Sequence, residues 1–75
     1  MKKNRPELFS NFRFRSLVEE FVQGDVNRQI LLLFYVDDLT QEEIEYELHV
    51  SVSTVKRVCK KYGIQIFRMM AKDEP

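Results

Sequence analysis

With 75 residues, the chain has room for one domain and one hydrophobic core, and a domain of this size buries only about 60% of the surface its unfolded form exposes. Its 44% apolar content, six Phe and three Tyr exclude general disorder, while two Gly and two Pro disfavour a turn-rich barrel or sandwich. The 12 basic and 12 acidic residues cancel, but they are segregated: five basic and three acidic in residues 1–24, one and seven in 25–50, six and two in 51–75.

Cys59 stands alone, so no internal disulfide and no metal-binding cysteine spacing exist. The longest apolar run, Ile30 to Val36, falls far short of the roughly 20 residues that span a bilayer. Lys2 and Lys3 are not followed by an apolar stretch of the secretory kind. The expectation is a cytoplasmic chain with no membrane association and no cofactor.

Residues 1–9 read as a flexible basic arm, broken by Pro6. Lys2, Lys3 and Arg5 are either a soluble terminus or an arm for a minor groove. A single helical domain is expected over 10–70, with a polar tail at 71–75. Ser10 or Asn11 caps a first helix whose Phe12, Phe14, Leu17, Val18 and Phe21 belong to the core, and Gly24 is its stop.

Asp25 is placed to cap a second helix running to about Asp37. Its run Ile30 to Val36 is apolar nearly all round and must be covered on two sides or exposed as an interface. A strand is the alternative for that run, because periodicity cannot settle a continuous apolar stretch.

Thr40 followed by Glu43 is a capping box, and Leu39 can staple against Ile44. Ile44 and Leu48 then face one core. After the corner His49-Val50-Ser51, Ser51 caps another helix with Val55, Val58, Cys59 and Tyr62 inward and Gly63 as its end. Two short helices joined by about three residues make a helix-turn-helix over 40–62. The fold class is therefore all-α, a small helical domain with one or two helices packed before that unit. Beyond Gly63, a strand of a wing is disfavoured, and a short helix or ordered tail places Ile64, Phe67 and Met70 either in the core or against a partner subunit.

The segments Leu39-Thr40-Gln41-Glu42-Glu43-Ile44 and Leu48-His49-Val50-Ser51-Val52-Ser53-Thr54-Val55-Lys56-Arg57-Val58 resemble the helix-turn-helix of bacterial and phage transcriptional regulators, resolvase-type recombinases and the promoter-reading domains of sigma factors. The chain departs from the pattern at Glu45, where a small residue is usual, and at His49, where Gly is usual because the corner has positive φ. Glu45 must therefore bend outwards or pair with Lys56 or Arg57.

The resemblance implies a sequence-specific binder of double-stranded DNA. Val52, Ser53, Lys56 and Arg57 match positions that meet base edges, while Thr40, Gln41, Lys60 and Lys61 match positions beside phosphates. A single module of this size has limited contact area, which favours a homodimer reading two half-sites or attachment to a larger complex.

A second function class is open. The acidic middle, with Glu42, Glu45 and Tyr46 as its candidate contacts, suits an adaptor or inhibitor that engages RNA polymerase, a sigma factor or another regulator. Enzymatic readings fare poorly: His49 has no Cys or Ser partner in activating register, Cys59 falls on an inward stripe, and the carboxylates lack the spacing of a calcium loop.

Overall fold

The Ser10 hydroxyl accepts from the Arg13 amide at 3.2 Å and opens the first helix, as a short polar side chain in extended backbone does. The computed structural model describes residues 10–73; the basic arm expected at 1–9 lies outside them, as do residues 74 and 75. Helix α1 (Asn11–Phe21) buries Phe14, Leu17 and Val18. Phe12 and Phe21, expected in the core, are 81% and 48% exposed. The stripe continues instead through Val22, only 1% exposed, which leaves helical geometry to place its side chain inward.

That early exit moves the expected boundaries. Gly24 does not stop α1; with φ +95° it turns the chain and caps α2 (Asp25–Leu31), a backbone angle that only glycine adopts without strain. Asp25 is the first residue of α2 and not its cap, and its carboxylate lies 3.5 Å from the Arg28 guanidinium. Arg28 Nε in turn donates to the Val22 carbonyl at 2.8 Å, tying α2 back to the end of α1.

The run once open to a strand reading is helical. From α2 it continues as a wider π turn, Leu32–Val36, and among the described residues there is no strand. Asp38, in left-handed backbone, leads to α3 (Gln41–Leu48). Its capping box is complete: the Glu43 amide donates to Thr40 Oγ1 at 3.1 Å and the Thr40 amide donates to Glu43 Oε1 at 2.7 Å. Thr40→Ala should therefore lower stability by about 1 kcal/mol, read from the urea midpoint; an unmoved midpoint would show that the box holds nothing.

Helix α4 (Val52–Val58) starts at Ser51, whose hydroxyl accepts from the Thr54 amide at 3.1 Å. Gly63 does not end it. The helix passes through a second π turn, Cys59–Gly63, into α5 (Ile64–Asp73), so residues expected as a polar tail at 71–73 are helical. Gly63 is buried because the Tyr35 ring lies where its side chain would be: a Cβ there would sit 3.0 Å from Tyr35 Oη.

The wider winding advances less per residue, which keeps Val55, Val58, Cys59, Gly63 and Ile66 on one buried face. Of the set expected on α5, Phe67 and Met70 pack against the core, whereas Ile64 is 48% exposed and Ile66, 1% exposed, takes the inward place.

α1 packs on α2 and α5, and α4 packs on α2 and α3. Between them Phe14, Tyr35 and Phe67 form a ring cluster with centroids 4.9 to 5.7 Å apart. Burial pushes the Tyr35 phenol up to about 12 and the Cys59 thiol up to about 11. Both are neutral in the fold, so their contribution is full below the unfolded values of 9 for the thiol and 10 for the phenol and is lost as pH rises through the folded ones. Melting temperature should hold to about pH 9 and then decline, and Cys59→Ala should flatten the limb between 9 and 11.

Candidate nucleic-acid interface

The corner between α3 and α4 is set by one backbone angle. His49 has φ 57° and ψ 42°, the left-handed conformation that reverses a helix end at a cost for a residue with a side chain. Val50 then packs against the core and Ser51 caps α4. Ile44 and Val55, both fully buried, hold the two helices to each other and to α2. This helix, three-residue turn and helix is the expected unit.

The departure at Glu45 resolves through geometry. Its carboxylate is on the exposed side of α3, so no buried charge is created.

On α4, Ser53, Lys56 and Arg57 are exposed and Val52 is half-buried at the first turn; Lys60 and Lys61 follow on the same exposed side, in the π turn. Lys61 Nζ lies 5.2 Å from the centroid of the Tyr62 ring. These five polar residues form one ridge, opposite Val55, Val58 and Cys59, and no carboxylate interrupts it. Thr54 is half-buried, its hydroxyl 3.0 Å from that of Ser51, and so belongs to the cap.

The phosphate-side candidates at the start of α3 are differently placed. Thr40 and Gln41 are half-buried, and the Thr40 amide is taken by Glu43. The carboxylate already supplies the negative charge that this helix end favours. The groups there that suit a phosphate are the Thr40 hydroxyl proton, the Gln41 carboxamide and the first-turn amides of Gln41 and Glu42.

Two of the acidic candidates share one face of α3. Glu42 and Tyr46 line a groove of ≈ 540 Å³ with Leu39, Glu43 and Glu47; Glu45 does not line it. Tyr46 is 80% exposed. The structure thus brings two of the three acidic-face candidates together.

Two residues of the basic ridge were not anticipated. Gln65 and Arg68 continue its exposed side on α5, and they were hidden by the expectation that Gly63 ends the helix. Ile66 and Met70, four apart, were the available signal that the amphipathic pattern goes on.

No helix of the described residues is long and apolar enough to cross a membrane. No curated protein and no solved structure gives a match to this chain. Residues 26–57, from the first turn of α2 to Arg57 on α4, match the family model of sigma-70, region 4, and the chain carries a helix-turn-helix similar to the one in that family.

Proposed function

We propose that the chain binds double-stranded DNA with α4 in the major groove and acts in transcription as a small regulator. The observation that carries this is the exposed, acid-free row Ser53, Lys56, Arg57, Lys60 and Lys61 on the second helix of a helix-turn-helix. The major groove, about 12 Å wide, admits one helix, and the early residues of such a helix meet base edges. In this reading Ser53 and Lys56 offer hydrogen bonds to bases, with Val52 suited to a thymine methyl and Arg57 to guanine acceptors. Lys60 and Lys61 face phosphates. The match to sigma-70 region 4 supports the same reading.

The experiment is fluorescence anisotropy on selected and mixed-sequence duplexes across a salt series. Lys56→Ala should weaken binding to the selected site by about tenfold and narrow the preference over mixed sequence. Lys60→Ala should weaken both alike and reduce the salt slope by about one. A parent with no affinity at low salt, or one indistinguishable from both variants, would sink the proposal.

A second reading draws on the groove of Leu39, Glu42, Glu43, Tyr46 and Glu47. Its three carboxylates and exposed phenol suit a basic segment of a transcription protein such as RNA polymerase or a sigma factor. Capture of polymerase that survives Lys56→Ala but is lost in Tyr46→Ala would favour this surface.

A further inference from the structure

We propose that α5 extends the DNA-contacting surface beyond the recognition turns, with Arg68, flanked by Gln65, binding a backbone phosphate beside the site that α4 reads. This rests on the DNA reading above and adds a contact which that reading does not require.

The argument starts from helix continuity. Residues 52–73 are helical without interruption, and a helix of that length is roughly 33 Å long. The seven residues of α4 cover only about 10 Å of it, enough to occupy the groove. The remainder must leave the groove over its edge, where the phosphates are.

The face that leaves is defined by burial. Gly63 and Ile66 are buried on the same side as Val55, Val58 and Cys59, so Gln65 and Arg68 lie opposite, in line with Lys56 and Lys60. From Ser53 to Lys72 the chain has six basic residues and no acidic one. Arg68 stands roughly 18 Å along the axis from Lys56, past the groove width and within the reach of a long side chain to the flanking strand. Its guanidinium can donate two parallel hydrogen bonds to one phosphate.

The mount is rigid. Ile66 is 1% exposed, and the ring of Phe67 packs at 5.7 Å on Phe14 and 4.9 Å on Tyr35. Arg68 is therefore held on the core and not on a frayed end. Lys72 is set apart from it, because it borders the cavity between α1 and α5 together with Arg13 and Glu20. Glu20 lines the same cavity, and a carboxylate on that side makes the lysine the weaker candidate for a phosphate, so it serves as the internal control.

The test compares the full chain with Arg68→Ala, Arg68→Lys and Lys72→Ala by anisotropy on the selected duplex with flanking sequence, across salt. Arg68→Ala should weaken binding about threefold to tenfold, reduce the salt slope by about 0.9 and leave the ranking of sequences unchanged. Arg68→Lys should keep the slope, and Lys72→Ala should match the parent. Arg68→Ala with the parent's slope, or Lys72→Ala with an equal loss, overturns the inference while the Lys56 dependence leaves the DNA reading standing. A parent without DNA affinity overturns both. Circular dichroism melts confirm folding, since substitution of an exposed arginine moves stability by about 0.5 kcal/mol or less.

Discussion

Phe14→Ala will lower the unfolding free energy by about 3–5 kcal/mol, while Phe12→Ala, two residues away, will change it by about 0.5 kcal/mol or less. The two phenylalanines share a helix and a residue type, and differ in what surrounds them. Phe14 is fully buried, with Tyr35 at 5.4 Å edge-on and Phe67 at 5.7 Å. Truncation removes the ring's transfer energy and leaves a cavity between three helices that cannot collapse without unstacking its neighbours. Phe12 is 81% exposed and has little burial to lose. A domain of this length has only about 4–11 kcal/mol in all, so Phe14→Ala is expected to be partly unfolded at 25 °C. Phe14→Leu, which keeps most of the volume, will remain folded with a loss of about 1–1.5 kcal/mol. Urea titrations of all three decide the matter, and equal midpoints for Phe12→Ala and Phe14→Ala would contradict the packing described.

Gly63→Val will destabilise the fold by about 1–3 kcal/mol even though glycine is a poor helix residue. A Cβ at 63 meets Tyr35 Oη at 3.0 Å and Cε2 at 3.3 Å. Tyr35 cannot swing aside, because Phe14, Phe34 and Phe67 pack around its ring at 4.9 to 5.4 Å. Valine adds two methyl groups at that contact. Gly63→Ala is the informative companion: alanine gains about 0.5–1 kcal/mol of helix preference, which offsets its smaller overlap and leaves little net change. In a Tyr35→Phe background the hydroxyl is gone, and Gly63→Ala should then be stabilising. The sign of that coupling, measured as a double-mutant cycle, tests the contact directly; additive effects would mean that the hydroxyl and the side chain at 63 do not touch.

The parts of this fold that could be read from sequence are the local ones. Ser10, Ser51 and the Thr40–Glu43 box act within three residues of themselves, so their chemistry is complete in the sequence. The left-handed corner at His49 was legible through the resemblance, in which Gly usually holds that place. What was not legible depended on distant partners. Gly63 looks like a helix end until Tyr35, 28 positions earlier, is seen to occupy the space beside it. Phe12 and Phe21 look like core residues until Val22 takes the inward place. The first of these bears on the candidate surface. Stopping the helix at Gly63 confined the candidate surface to Lys61, whereas the exposed row goes on through Gln65 and Arg68. On α4 itself the outward positions Ser53, Lys56 and Arg57 were foreseeable, since the inward ones repeat at helical spacing.

The paired π turns bear on how the length of this chain can vary. A π turn inside an α-helix accommodates one residue beyond what ordinary winding needs; Leu32–Val36 ends its helix before Asp37, whereas Cys59–Gly63 lies between α4 and α5 and does so. Deleting an exposed residue such as Lys60 from the second of them would let that turn relax to α geometry while α5 keeps nearly its present facing. The same deletion in the middle of α1 would swing every later residue of that helix by about 100°, carrying Leu17 and Val18 out of the core. Single-residue gains and losses among relatives should therefore cluster at the second of these turns and spare the helices on either side.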